Sequence, residues 1–182
     1  VEERCEILLA GSGGQGLGLA GVILAQALAE EEGKNVVETE AYGISMRGGH
    51  SRSEVIMSTG EINELSVTEP DILLALSQEA AELFIHKVKK GGVILLDPAY
   101  VKDIPKTEAR VLPLAFTEEA TNLGRATMAN VIALGAIAAV TSILSKVSLE
   151  NTLGKKFGPP QREQNLRALA RGYELVGKKK PR

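Results

Sequence analysis

The most constraining feature is a short apolar run that stops dead on glycine. Glu6-Ile7-Leu8-Leu9-Ala10 ends at Gly11-Ser12-Gly13-Gly14-Gln15-Gly16, and then Ala20, Ile23, Leu24, Ala27 and Leu28 recur at three- and four-residue spacing. The run reads as a buried parallel strand and the recurrence as a helix from about Gln15 to Glu32, ended by Gly33. Val36 to Glu40 then reads as a second strand. Strand, helix and strand within about 40 residues make a βαβ unit, which commits the chain to a parallel sheet with helices on its faces.

The remaining segments fit that frame. A glycine-bearing loop, Tyr42 to Gly49, precedes a strand over Ser51 to Ser58, and Thr59-Gly60 suggests a tight turn into Glu61-Ile62. Asp71 to Leu76 is another buried strand. Ser77 can cap a helix running to about Val88 and closed by Gly91-Gly92. Val93 to Asp97 returns as a strand, and Arg110 to Pro113 as a weaker one. Helices follow over roughly Thr117 to Leu123, Met128 to Leu144, Ser148 to Phe157 and Arg162 to Val176, with Gly158-Pro159-Pro160 as a connector. The expectation is one domain over 1–182, a three-layer α/β/α sandwich with a mostly parallel sheet and a helical C-terminal third.

Composition removes several function classes. With 21 Lys plus Arg against 23 Asp plus Glu, the net charge of −2 does not suit a general nucleic-acid binder. Three Phe, three Tyr and no Trp leave few platforms for stacked bases. Cys5 is the only cysteine, and His50 and His86 lie far apart, so spacing offers no zinc or iron–sulfur ligand set and no Cys-His or Ser-His-Asp arrangement. Cys5 reads as a small buried residue of the first strand. His86 reads as a surface residue and Lys178-Lys179-Lys180 as a solvated tail. Val1-Glu2-Glu3-Arg4 has no apolar signal region behind it, and the longest apolar stretch, Val131 to Leu144, is shorter than the ~20 residues a membrane span needs. The expected setting is cytoplasmic, without metal.

Two clusters could carry chemistry. Gly11 to Gly16 satisfies G-x-G-x-x-G between a strand and a helix; glycines let backbone approach a ligand and leave the helix N-terminus open to an anion. Glu38 or Glu40 could then take a ribose hydroxyl, as in dinucleotide folds. The same turn could equally serve close packing and bind nothing. The second cluster, Tyr42 to Ser53, carries Arg47 and Arg52 among Gly43, Gly48, Gly49 and four hydroxyls. It is either a solvated loop or an anion-binding and docking surface. Loops leaving the strand C-termini gather on one edge, which places this one beside the glycine turn. Asn130, entering an apolar helix beside Met128, either braces the site or only caps the helix.

Taken in order, the motifs resemble the gamma subunit of 2-oxoacid:ferredoxin oxidoreductases. The resemblance is carried by Gly13-Gly14-Gln15-Gly16, by Tyr42-Gly43 with Arg47-Gly48-Gly49, and by Ser51-Arg52-Ser53-Glu54-Val55. Pro70 to Ala80, Asn130 with Leu134-Gly135-Ala136, and Asn165-Leu166-Arg167-Ala168-Leu169 extend it over about Arg4 to Tyr173. The Ser51–Val55 and Leu76–Ala80 stretches are most similar to the 2-oxoglutarate branch; pyruvate and branched-chain oxoacid enzymes are the alternative. Ile44-Ser45-Met46 and His50 depart from the acidic and small residues expected around the arginine, which touches ligand geometry rather than membership.

The resemblance implies a Rossmann-like fold and a reaction in which a 2-oxoacid, coenzyme A and oxidised ferredoxin give acyl-CoA, carbon dioxide and reduced ferredoxin. It implies alpha and beta subunits holding thiamine diphosphate with Mg, and a ferredoxin-like delta subunit holding iron–sulfur clusters. This chain would complete the assembly, hold none of those cofactors alone and help to position coenzyme A. Its implied ligand-contacting residues are Gly11, Ser12, Gly13, Gly14, Gln15, Gly16, Tyr42, Gly43, Arg47, Gly48, Gly49 and Asn130, with no catalytic residue. A stand-alone dinucleotide-binding protein is the competing reading, and a purely structural subunit a third.

Overall fold

A computed structural model describes residues 3–42 and 49–179. Six strands form one sheet: β1 (Arg4–Ser12), β2 (Asn35–Tyr42), β3 (His50–Ser58), β4 (Ile72–Ala75), β5 (Val93–Leu96) and β6 (Arg110–Pro113), in the order β2-β3-β1-β4-β5-β6. β1, β4, β5 and β6 pair in parallel, whereas β3 is antiparallel to both of its neighbours, β1 and β2. Five of the six strands therefore point the same way. This corrects the simple βαβ reading of the first 42 residues. β1 and β2 do run parallel, but β3 lies between them, with Ile7 opposite Val55 and Glu38 opposite Val55 from the other side.

Both faces of β1 are buried, and they feed two separate cores. Ile7 and Leu9 join the larger core with Val55, Met57 and Leu74, whereas Leu8 and Ala10 join the smaller one with Leu73, Phe84 and Ile85. Six helices complete the three layers: α1 (Leu17–Gln26), α2 (Gln78–Phe84), α3 (Phe116–Asn122), α4 (Ala129–Thr141), α5 (Lys146–Lys156) and α6 (Gln161–Lys179). α2 covers the smaller core, and the others gather over the larger one. α4 is aliphatic on every side because it is buried on every side, from Asn130 to Ala138 without a break. Sheet lies on one flank of it and α6 on the other.

Local signals were mostly met. Ser77 caps α2, its hydroxyl accepting the Ala80 N–H at 3.1 Å. Gly33, with φ of 66°, ends the first helical segment as expected, although its last turn, Ala27–Glu31, is wound as a π-helix. That segment begins at Leu17 rather than Gln15, because Gln15 and Gly16 still belong to the turn. The chain does bend at Thr59-Gly60, but no strand follows at Glu61-Ile62. Thr59 instead exchanges hydrogen bonds with Glu3, its N–H donating to the Glu3 carbonyl and its Oγ1 accepting the Glu3 N–H. Residues 61–70 then cross the sheet without forming a strand. The buried Glu54 fixes that crossing by accepting the Val67 N–H at 2.6 Å.

Candidate functional site

The ends of β1, β2, β4, β5 and β6 and the start of β3 share one edge of the sheet, so the glycine turn, Tyr42, Gly49 and Ser77 are neighbours there. The turn is tightly specified. Gly14 and Gly16 take φ of 88° and 70°, and Gly16 is the N-cap of α1. The Gly13 N–H donates to the Gly49 carbonyl at 3.1 Å, so the end of the Tyr42–Gly49 loop does rest on the turn. Gly43, Arg47 and Gly48 lie outside the described residues.

Asn130 reaches the turn from α4. Its Nδ2 donates to the Gly16 carbonyl at 3.0 Å, and its own Oδ1 accepts the Val131 N–H. It is buried, so this bond links the N-termini of α1 and α4 where water cannot substitute for it. Outward from the turn, the N–H groups of Gly14, Gly16, Leu17, Gly18 and Leu19 meet no backbone acceptor among the described residues. Free amides at the start of a helix attract an anion through both hydrogen bonding and the helix dipole.

A cleft of about 260 Å³ opens beside these amides, lined by Gly14, Gly16, Leu19, Met128, Asn130 and Asn165 together with Arg125 and Gln164. Arg125 donates to Gln164 Oε1 at 3.2 Å, which holds the guanidinium at the rim. Sequence reasoning missed Arg125: it sits between two helices with no motif around it, and only the fold brings it to the turn. A larger hollow, about 670 Å³, lies at the opposite edge, between Glu3 and Lys34 and the α4–α5 connection, away from these groups.

Glu38 and Glu40 do not face this cleft. Their side chains lie under α1, where Gly18 and Gly21 leave room: a methyl group on Gly21 would come within 3.1 Å of Glu38 Oε1, and one on Gly18 would overlap the Glu40 carboxylate. Glu38 accepts from the buried Ser53 hydroxyl at 2.6 Å, and Glu40 accepts from the Tyr42 hydroxyl. That bond to a carboxylate raises the Tyr42 pKa above its ordinary value of 10.0. With β3 inserted, β2 stands two strands from the glycine turn, roughly 10 Å at the usual strand spacing. The ribose contact of a dinucleotide fold needs its acid on the adjacent strand. Asp97, at the end of β5, is equally occupied: its carboxylate accepts the Ala99 and Thr117 N–H groups and the Thr117 hydroxyl, capping α3. Cys5 is buried, and burial pushes its thiol up to about 12. Among the described residues no group of three or more His, Cys, Asp or Glu side chains is placed to hold a metal ion, and no helix is long and apolar enough to cross a membrane.

A mixed, mostly parallel sheet between helical layers, with a glycine turn presenting open amides at its edge, defines a Rossmann-like α/β/α domain. Over residues 6–175 the chain matches the pyruvate ferredoxin/flavodoxin oxidoreductase family, and it belongs to that family. It is similar to the 2-oxoglutarate synthase subunit KorC of Methanocaldococcus jannaschii, at 39% identity over 97% of this chain and 96% of that one. Among solved structures it is similar to the gamma subunit of a keto/oxoacid ferredoxin oxidoreductase from Geobacter sulfurreducens, at 37% identity and a TM-score of 0.89, covering 98% of this chain and 99% of that one. It is also similar to part of the 2-oxoglutarate:ferredoxin oxidoreductase of Magnetococcus marinus, solved with 2-oxoglutarate, coenzyme A and succinyl-CoA bound. There the identity is 25% and the TM-score 0.87, over 98% of this chain but 32% of that one. The family is one of oxidoreductase subunits, as the sequence motifs implied.

Proposed function

We propose that this chain is the gamma subunit of a 2-oxoglutarate:ferredoxin oxidoreductase, completing the assembly and helping to hold coenzyme A. The observation that carries the proposal is similarity to KorC along nearly the whole of both chains. A ketoisovalerate oxidoreductase subunit, VorA of Methanothermobacter thermautotrophicus, is less similar, at 33% identity, and this chain spans 35% of it. In the proposed reaction, 2-oxoglutarate loses carbon dioxide, its acyl group passes to the coenzyme A thiol, and two electrons go to oxidised ferredoxin.

This chain's own residues fit a supporting part in that reaction. The amides of Gly14, Gly16, Leu17, Gly18 and Leu19, which meet no backbone acceptor among the described residues, and the nearby Arg125 favour a phosphate-bearing ligand. The single cysteine, buried with a raised pKa, does not suit a cluster ligand, which must be a thiolate. In keeping with the family resemblance, we propose that thiamine diphosphate with Mg belongs to alpha and beta subunits and the iron–sulfur clusters to a ferredoxin-like delta subunit, with ferredoxin taking the electrons.

Reconstitution tests this directly. Partner subunits purified from the native cells would be assayed for coenzyme A-dependent dye reduction with 2-oxoglutarate, pyruvate and branched-chain oxoacids, with and without this chain. The expected result is 2-oxoglutarate activity that requires the chain. Full activity without it overturns the proposal, and a preference for pyruvate or a branched-chain oxoacid reassigns the substrate.

A further inference from the structure

Gln15 stands inside the glycine turn, yet its side chain does not face the ligand edge. Its Oε1 accepts the Ser12 N–H at 2.7 Å, and its Nε2 donates to the Leu76 carbonyl at 2.9 Å, across the sheet at the end of β4. The Leu76 N–H in turn donates to the Ala10 carbonyl at 2.9 Å. One carboxamide thus closes a ring through β1, the turn and β4. Gly11 is the room made for it, because a methyl group there would overlap Gln15 Oε1 and come within 3.1 Å of Leu76 Cβ.

We infer that Gln15 is the positioning residue of this site: its carboxamide, and no contact with ligand, sets the turn so that the Gly14 and Gly16 amides face outward. The inference rests on the coenzyme A reading above. The residue type follows from the geometry. The ring needs one acceptor and one donor on the same planar group, which a glutamine side chain supplies at this length. Glutamate would set a second acceptor against the Leu76 carbonyl, and methionine, of similar size, supplies neither partner. Without the bridge, the Ser12 N–H is left unpaired at a half-buried position, and a turn holding two positive-φ glycines has other conformations open to it. The effect reaches further along the edge, because Ser77, next to Leu76, caps α2.

The experiment compares Gln15→Met and Gln15→Glu with the unaltered chain in the reconstituted complex and as isolated full chains. Both variants are expected to assemble in normal yield, with KM for coenzyme A raised roughly tenfold, the order of magnitude of a lost hydrogen bond. KM for 2-oxoglutarate and kcat at saturating coenzyme A should stay within about twofold. Amide exchange over Ser12–Gly16 in the isolated chain should quicken in both. An unchanged KM for coenzyme A, or an equal loss of yield and kcat with KM unmoved, overturns the positioning role. Unchanged exchange overturns the brace itself. If coenzyme A dependence in the unaltered complex does not involve this chain, the coenzyme A reading falls, whatever the exchange shows.

Discussion

Gly135 of α4 and Gly172 of α6 lie against each other at the helix crossing, and neither has room for a methyl group. One built on Gly172 would come within 2.7 Å of the Ala136 nitrogen and 2.9 Å of Gly135 Cα, and one on Gly135 would overlap the Leu169 carbonyl oxygen. The helices meet backbone to backbone, which lets α6 shield the aliphatic α4 from solvent.

Gly172→Ala sets two effects against each other. Alanine favours a helix interior over glycine by about 1 kcal/mol. Overpacking a rigid backbone contact costs typically 1–3 kcal/mol and more where nothing can yield, and here the neighbours are main-chain atoms. The net expectation is a loss of about 2 kcal/mol, seen as a fall in Tm of roughly 4–8 °C for a domain of this size. Gly177→Ala on the same helix, where the added methyl meets nothing within 4 Å among the described residues, should leave Tm unchanged or raise it slightly.

Glu32 supplies a pH-dependent contribution at the other edge. Its Oε1 accepts the Ser145 N–H at 2.8 Å and the Ser148 hydroxyl, so it holds the start of α5. The Ser145 N–H foremost, and then the Ser148 hydroxyl, lower its pKa below the ordinary 4.5. A depressed carboxylate stabilises the fold above its unfolded pKa, and that stability is lost as pH falls through the folded value. Glu32→Gln should therefore cost about 1 kcal/mol at pH 7, the solvent-screened end of the range for charged hydrogen bonds. Denaturant melts across pH 7 to pH 3 should show the gap closing below about pH 4.5; a gap independent of pH refutes the charge effect.

What the sequence made legible was local chemistry. The strand into Gly11, the positive-φ turn and the Ser77 cap are each written in a few adjacent residues, whereas the Asn130 bond to Gly16 spans 114 positions and left bracing and capping equally open. Strand order is not local either. β3 pairs with β2 through residues 9 to 23 positions apart and with β1 through residues 38 to 54 apart, and the alternation in Ser51–Ser58 carries no sign of which neighbours it will take. That insertion moves Glu38 and Glu40 under α1 and out of the site. Gln15 illustrates the same limit: a polar residue in a glycine motif reads as a ligand contact, and only the position of the Leu76 carbonyl shows that it faces inward.

Cys5 gives a simple check on the core. Its thiol sits in β1 opposite Met57, buried, with its pKa pushed up to about 12, so at pH 8 it is neutral and shielded. Thiolate is the reactive form. A disulfide reagent should leave the native chain unmodified over hours and titrate one thiol per chain promptly in denaturant. Rapid native labelling would mean that β1 opens far more readily than its central place in the sheet allows.

The two positive-φ glycines of the turn separate backbone strain from loss of the site. Gly14→Ala places a methyl where nothing among the described residues lies within 4 Å, so the cost expected is conformational, about 1–2 kcal/mol for an L-residue in the left-handed region. Gly16→Ala meets the same strain and sets the methyl 2.5 Å from Asn130 Nδ2, so the bond from Asn130 to the Gly16 carbonyl must break or α4 must shift. That adds roughly 1–3 kcal/mol for a buried amide left unpaired. Thermal melts should rank the unaltered chain above Gly14→Ala and Gly14→Ala above Gly16→Ala. Asn130→Ala removes the clash along with the bond, so pairing it with Gly16→Ala should cost less than the sum of the two single changes, as contacting residues do in a double-mutant cycle. Strict additivity would show that Asn130 and Gly16 do not act as one unit, and the link between the starts of α1 and α4 would then contribute nothing to the shape of the turn.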